Sequence, residues 1–344
     1  MALSSDEIVK REIIDVVGYN NDPVHLRIFT ESSRDDQNLF QEGGLTFGYK
    51  GVSYGSCDSC WLTNEEWIDG YNNKKLNIKP FIALEGTDAL SRGSSGNAQY
   101  QRFHHALGAV KNGVIGIYYL KKGNHKIQPD LFGMAYNASK KEVGDYLVTD
   151  DLNLVKELIK NYKNPEALSQ IINKQLEYMK SIFLESLEEK YQSDWNNFAD
   201  KRSTVIYDDY VIKYAARNVR NFTESSQRAG HIALGEMYLT KYLFPGKMFY
   251  YLFARMSSED LVTLDTGKST DKEWYLLRNE ANVKIITSSD LVNVPEEFIT
   301  RLRAIKNESL LRGTNAYREY KSCMEEIFRG LKDGRFSIIL SENE

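Results

Sequence analysis

Glu85 stands at the end of an apolar run, where a strand would hold its carboxylate in a fixed position. The run Phe81–Leu84 lies between Pro80 and Gly86 and predicts a buried strand. A carboxylate delivered to the edge of a sheet is a hard oxygen ligand of the kind that Mg²⁺ prefers. The residue therefore predicts a divalent-metal ligand, and the alternative is a solvated strand end with no such role.

A metal site of this kind needs a second acid, and two candidates precede Glu85. Asp58, in the segment YGSCDSCWL, is the first, and Asp69, in EEWIDGYNN, is the second. We predict that Asp58 and Glu85 bind Mg²⁺ together. Cys57 and Cys60 flank Asp58 as a single CxxC pair without a second pair, which favours small core residues over a zinc site.

Basic residues are concentrated in two stretches, although the net charge of the chain is −4. Residues 201–255 contain nine basic residues against four acids. Residues 89–129 contain no acid, and their six basic residues are Arg92, Arg102, Lys111, Lys121, Lys122 and Lys126. Local basic surfaces on a mildly acidic chain are typical of phosphate binding. Chance clustering on an ordinary surface is the alternative.

The segment 97–110 predicts a helix whose apolar face carries Tyr100, Phe103, Leu107 and Val110. Gln101 and His105 are expected to point away from this face, and Arg102 and His104 to flank it. Side chains of these types can read base edges or contact phosphates, although a solvated helix face explains the same pattern. The predicted DNA-binding residues are Arg92, Asn97, Gln101, Arg102, Lys121, Lys122, Arg228 and His231.

The order of these features resembles the PD-(D/E)XK nuclease core of type II restriction endonucleases. An acid precedes a strand that carries Glu85, and a helix, a strand and a closing strand that runs into Asp-Leu (LVTDDL) follow. The resemblance covers roughly residues 40–160. It implies a Mg²⁺-dependent enzyme that hydrolyses DNA phosphodiester bonds.

Within this family the signature is an aspartate followed by Glu-x-Lys on an apolar strand. The resemblance assigns Asp58 to the aspartate place and Glu85 to the glutamate place. Thr87 stands where lysine is usual, so the group that activates water is open. Lys79, six residues before Glu85, is the predicted source of the missing positive charge, and Lys111 is the alternative.

The elements predict an α/β fold with a mixed central sheet flanked by helices, and a second α/β or mostly helical C-terminal region. We place an N-terminal segment and a catalytic core (about 40–165) in residues 1–165, and DNA recognition and dimerisation in residues 166–344. Strands are expected at 45–62, 79–87, 114–120, 146–149, 247–255 and 283–287. Helices are expected after Asp151, from Pro165 to about 191, at 296–311 and at 314–330.

One internal similarity links the two halves. Gln101-Arg102-Phe-His104-His-Ala-Leu-Gly108 resembles Gln227-Arg228-Ala-Gly-His231-Ile-Ala-Leu-Gly235. Each segment precedes an aromatic-rich strand, GIYYL or MFYYLF. The pattern indicates either a duplicated lobe or a coincidence among common residue types.

The composition is that of a globular protein, with 42% hydrophobic and 27% charged residues in 344. The chain has no apolar run of about 20 residues, no signal-peptide pattern and only three cysteines, so we expect a cytoplasmic protein without a membrane span. The function predicted is a Mg²⁺-dependent, site-specific endodeoxyribonuclease that acts on double-stranded DNA as a homodimer. The alternatives are a non-catalytic DNA-binding protein on the same fold and an enzyme acting on a small soluble substrate.

Overall fold

A computed structural model describes residues 5–18, 20–21, 24–30, 40–42, 45–49, 52–63, 79–91, 97–100, 102–191, 204–214, 241–260, 282–308, 310 and 313–340. The chain divides into two compact units, Met1–Glu189 and Lys190–Glu344. The long helix that begins at Pro165, which the sequence analysis assigned to the second region, lies almost entirely in the first unit.

The first unit is built on a mixed sheet. Its strands are β1 (Asn20–Asn21), β2 (Val24–Thr30), β3 (Phe40–Glu42), β6 (Ser59–Thr63), β7 (Ile82–Thr87), β8 (Ile115–Leu120) and β9 (Tyr146–Thr149), and a separate hairpin pairs β4 (Leu45–Tyr49) with β5 (Val52–Cys57). The order β2-β6-β7 is antiparallel, whereas β7, β8 and β9 run parallel. The predicted α/β class with a mixed sheet flanked by helices is therefore confirmed.

The described residues of this unit form six helices. They are α1 (Ser5–Val17), α2 (Asn97–Tyr100), α3 (Phe103–Lys111), α4 (Pro129–Lys141), α5 (Asn153–Lys160) and α6 (Pro165–Tyr191). The predicted helix at 97–110 is thus two helices, with Arg102 in a turn at the N-terminus of α3. Asn164 caps α6, because its side-chain oxygen accepts the backbone N–H of Ala167 at 3.1 Å.

Helices α1 and α3 cover opposite faces of β7. Successive side chains of a strand point to opposite faces. Glu85 contacts Arg102 and His105 at the start of α3, whereas a side chain at the next position, Gly86, would meet Val9 of α1. Helix α6 covers the β9 side, where Gln175 donates a hydrogen bond to the carbonyl of Val148 at 2.9 Å.

Among its described residues, the second unit contains a smaller sheet and the two helices α7 (Glu296–Ala304) and α8 (Asn315–Lys332). The sheet is formed by β10 (Thr204–Ile206), β11 (Tyr210–Lys213), β12 (Met248–Phe253) and β13 (Val283–Thr287), and a small ladder pairs β14 (Leu291–Val292) with β15 (Ser337–Ile338). Helices α7 and α8 pack on each other and enclose an apolar core. Helix α7 is shorter than the predicted 296–311, and Thr314 caps α8 as predicted.

No helix among the described residues combines the length and the apolar character that crossing a bilayer requires.

Candidate functional site

Glu85 is buried, with 1% of its surface exposed, near the carboxyl end of β7. The three residues before it, Ile82, Ala83 and Leu84, are fully buried and fix this strand in the core. Strand β7 is paired with β6 as far as Leu84 and with β8 through Glu85 to Thr87, so the backbone that carries the carboxylate is held in the sheet. The charge is therefore held rigidly, at a place where leaving it unpaired would be costly.

Asp58 lies between β5 and β6 and meets Glu85 at the same edge of the sheet. Its Oδ2 accepts the backbone N–H of Gly86 at 2.9 Å. Nη1 of Arg102 lies 3.2 Å from Oε1 of Glu85 and 3.9 Å from Oδ2 of Asp58. The structure thus brings together the two acids that the sequence analysis paired, and adds a guanidinium to both.

Two further side chains, the imidazole of His105 and the ammonium of Lys10, complete this cluster. Nδ1 of His105 lies 3.2 Å from Oε2 of Glu85, and Nζ of Lys10 lies 3.8 Å from Oδ1 of Asp58. Gly55 makes room for the imidazole, because a Cβ at this position would lie 2.6 Å from Cδ2 of His105. The sequence analysis did not assign either side chain to the acids, although His105 stands three residues after Arg102 and so near its face of the helix.

The electrostatics of the cluster are dominated by burial. Desolvation, followed by the negative charge of Glu85, raises the pKa of Asp58 to about 7, while Arg102, Lys10 and the N–H of Gly86 lower it in part. Burial and then the charge of Glu85 likewise raise the pKa of the Cys57 thiol well above its usual range. The acid pair therefore carries a proton more readily than two exposed carboxylates would.

At the carboxyl end of β7, two carboxylates, those of Asp58 and Glu85, are available as ligands for a magnesium ion. Oε2 of Glu85 is buried and accepts a well-aligned hydrogen bond from none of the described residues. Within that part of the chain no group of three or more His, Cys, Asp and Glu side chains is arranged to hold a metal ion. Mg²⁺ is commonly bound by one or two carboxylates, with water and substrate phosphate completing its shell, so Asp58 and Glu85 are sufficient for such a site.

The three predicted sources of a water-activating group lie apart from one another. The hydroxyl of Thr87 accepts the N–H of Ala89 at 3.2 Å, at the carboxyl end of β7. Lys79 lies beside Gly113, at the opposite end of β7, so the structure does not bring it to the acid pair. Lys111 is buried and bonded to Glu142 at 3.1 Å, which also removes it from this role.

The predicted DNA contacts divide into three groups. Nζ of Lys121 is 2.7 Å from Oε1 of Glu12, whereas Lys122 is exposed. Arg102 turns its guanidinium to the carboxylates and not outward. Arg92, Gln101, Arg228, His231 and the rival acid Asp69 lie outside the described residues, as does the side chain of Asn97. Cys57 and Cys60 are buried in an apolar cluster, as expected for core residues.

A groove of about 880 Å³ opens at the carboxyl ends of β8 and β9. Lysines of the acid-free segment, Lys122 and Lys126, line one part of it, and Asp150, Asp151 and Glu157 line another. Its mixed charge does not select a polyanion, so the groove by itself identifies no ligand.

No family model, no curated protein and no solved structure matches this chain.

Proposed function

We propose that this chain is a Mg²⁺-dependent, site-specific endodeoxyribonuclease with a restriction-endonuclease-like core in its first unit. The observation that carries the proposal is the pair of neighbouring acids Asp58 and Glu85 at the carboxyl end of β7, whose side chains are 12% and 1% exposed. Burying two carboxylates side by side costs stability. Perturbed, clustered acids of this kind are typical of sites that perform chemistry.

The order of elements around the pair supports the same reading. Asp58 precedes β6, Glu85 lies on the neighbouring strand β7, and α3, β8, α4 and β9 follow, with β9 running into Asp151-Leu152. This is the order on which the resemblance to the nuclease core is based. It puts Glu85 on β7 and Asp58 directly before the neighbouring strand β6, where their side chains can share one ligand.

In this proposal Asp58 and Glu85 hold the ion, and each is positioned by the fold. The N–H of Gly86 orients the carboxylate of Asp58, and strand β7 orients that of Glu85. Bound Mg²⁺ supplies charge for the scissile phosphate and lowers the pKa of the attacking water. Thr87, at the place of the family's lysine, can orient water through its hydroxyl but cannot supply a positive charge.

The substrate side of the proposal is double-stranded DNA. Lys122 and Lys126 are exposed in the loop after β8 and provide positive charge for a phosphate backbone. A cut through both strands of a symmetric site needs two active centres, and the described residues contain one pair of this type. We therefore expect a homodimer with one centre per chain.

The test is incubation of the protein with long unmodified DNA and Mg²⁺. Discrete fragments are expected, and their absence at any protein concentration would reject the proposal. Gel retardation in Ca²⁺ and then Mg²⁺ separates the alternatives. Retardation with cleavage identifies a nuclease, and retardation without cleavage identifies a non-catalytic DNA-binding protein. If neither retardation nor cleavage is seen, the result favours an enzyme that acts on a small soluble substrate.

The non-catalytic alternative rests on a specific observation. Arg102 forms an ion pair with Glu85, the imidazole of His105 lies against the same carboxylate, and Thr87 replaces the usual lysine. If these side chains were permanent partners of the acids, the site would bind no metal. Direct measurement of metal binding therefore decides between the two functions.

A further inference from the structure

One cation of the chain itself already bridges the two acids. Nη1 of Arg102 is within 4 Å of both carboxylates, 3.2 Å from Glu85 and 3.9 Å from Asp58. Glu85 is almost completely buried, so this guanidinium supplies a compensating positive charge beside its carboxylate. A metal ion held by both acids would have to compete with it.

The backbone around Arg102 is anchored, whereas its tip reaches the surface. The carbonyl of Arg102 accepts the N–H of His105 at 3.1 Å, and the carbonyl of the next residue, Phe103, accepts the hydroxyl of Tyr146 at 2.6 Å. The side chain of Arg102 is 31% exposed, against 1% for Glu85. The guanidinium thus pairs with a buried carboxylate, while the side chain that carries it is partly exposed and starts from a backbone held by these hydrogen bonds.

We propose that Arg102 is a displaceable counter-ion that exchanges between the acid pair and the substrate. In the metal-free protein it neutralises Asp58 and Glu85. On metal binding it leaves the carboxylates and contacts a non-bridging oxygen of the DNA phosphate beside the metal site. The inference rests on the proposed function and gives Arg102 a catalytic role in place of the base-reading role expected from the sequence.

Charge balance is the reason for the exchange. Two carboxylates and one guanidinium leave a net charge of −1, apart from Lys10 and His105. Adding a divalent cation without moving Arg102 would make the same group +1, with like charges a few ångströms apart in a poorly solvated place. A phosphate accepts the planar fork of a guanidinium through two oxygens, so the released side chain has a matching partner only when DNA is bound.

The first experiment measures Mn²⁺ binding to the DNA-free protein by titration calorimetry. Arg102→Met should bind Mn²⁺ about tenfold more tightly than the wild type, because the competing charge is gone. The same variant should cleave DNA about 10²–10³-fold more slowly at saturating Mg²⁺, as expected when one donor to a reacting phosphate is lost. Lys156→Gln, which removes an exposed charge on α5, is the control and should change neither value.

A second measurement uses the wild-type chain and so does not depend on the folding of a variant. Phenylglyoxal labels accessible guanidinium groups, and mass spectrometry reports the labelling of Arg102 alone. Labelling should rise several-fold when Mn²⁺ is added without DNA, and fall again when DNA is added in Ca²⁺. Unchanged or slower labelling in Mn²⁺ would overturn the exchange.

The two proposals fail in different ways. If the wild type binds Mn²⁺ and cleaves DNA, but Arg102→Met binds Mn²⁺ no more tightly, the counter-ion role is wrong and the nuclease function stands. If the wild type neither binds Mn²⁺ nor cleaves DNA, the proposed function fails and the exchange fails with it.

Discussion

The sheets of the two units follow the same series of strand directions but carry opposite charges at matching positions. In the first unit β6 is antiparallel to β7, and β7, β8 and β9 are parallel; in the second β10 is antiparallel to β11, and β11, β12 and β13 are parallel. Glu85 on β7 pairs with Tyr118, and Lys213 on β11 pairs with Tyr251. Both charged residues are buried.

This difference shows that the same arrangement of strands can support a cation-binding site at Glu85 in the first unit and not at the matching position, Lys213, in the second. A buried carboxylate beside a second acid attracts a cation, whereas a buried ammonium repels one. The Tyr-Tyr-Leu sequence shared by β8 and β12 fits the internal similarity noted in the sequence. We expect metal-dependent chemistry to belong to the first unit alone.

Two arginines show the same contrast. Arg102 places its guanidinium against two carboxylates at the surface of the first unit. Arg255, buried in the second unit, donates hydrogen bonds to the carbonyls of Ile305 at 2.9 Å and Glu308 at 3.0 Å, and so ties the end of α7 to the sheet. The first arrangement can be exchanged for another partner, whereas the second is a fixed structural contact.

The largest expected effect is the loss of cleavage in Glu85→Gln. Removing a metal-binding carboxylate should slow DNA cleavage by at least about 10³-fold, since the metal's contribution is several kcal/mol. Asp58→Asn should behave alike, and DNA affinity should stay within a few fold. The matched variant in the second unit is Lys213→Met, whose cleavage rate per folded molecule should equal that of the wild type. Plasmid cleavage with Mg²⁺ measures these rates. If Lys213→Met lost as much activity as Glu85→Gln, the functional difference between the two units would be contradicted.

Local patterns in the sequence were enough to predict the strand that carries Glu85 and the acid that joins it. An apolar run ending in a charge requires only neighbouring residues, and Asp58 stands directly before the next apolar strand. Lys10 carried no such signal, because it reaches Asp58 only after α1 packs across the sheet. His105 was expected to point away from the apolar face of its helix, and it does; the structure shows that this direction leads to Glu85 and not to solvent.

Asp58 in the first unit and Asp260 in the second should make the free energy of unfolding change with pH in opposite directions. The folded-state pKa of Asp58 is raised to about 7 by burial and by Glu85, so its contribution to stability falls as pH rises from about 4 to 7. The pKa of Asp260 is lowered, first by the N–H of Ser257, so its contribution is present at neutral pH and is lost as pH falls through its folded-state value.

At pH 8, Asp58→Asn should therefore raise the free energy of unfolding, by roughly 2–4 kcal/mol, whereas Asp260→Asn should lower it. At pH 4 the gain from Asp58→Asn should largely disappear, because the wild-type carboxyl is then protonated in the folded state. Urea denaturation at the two pH values measures both effects. A loss of stability in Asp58→Asn at pH 8 would mean that this acid is a stabilising ion-pair partner and not a group kept at a cost.

A smaller effect on the cleavage rate is expected from the position of His105, and it can be distinguished from the cost of a positive φ at a residue other than glycine. Gly55 and Gly246 both have positive φ, at +93° and +89°. A Cβ added at Gly55 would collide with the side chain of His105, whereas a Cβ added at Gly246 would meet no atom within 4 Å. Either glycine replaced by alanine should lose roughly 1–3 kcal/mol of stability from its conformation. Gly55→Ala should in addition slow cleavage, because it moves the imidazole from Glu85. Similar cleavage rates in the two folded variants would show that the position of His105 is irrelevant.

The smallest predicted effect concerns two adjacent lysines of the acid-free segment. Lys122 is exposed, whereas the ammonium of Lys121 lies 2.7 Å from Oε1 of Glu12. Lys122→Gln should lower the affinity for unrelated duplexes evenly and reduce the slope of log K against log salt by about 1, because one phosphate contact is lost. Lys121→Gln should change the slope less, since its charge is already partly neutralised by Glu12. Fluorescence anisotropy with two unrelated duplexes between about 50 and 200 mM salt measures both slopes. A larger change in Lys121→Gln would mean that DNA takes this lysine from Glu12, and that the contact surface extends from the loop after β8 towards α1.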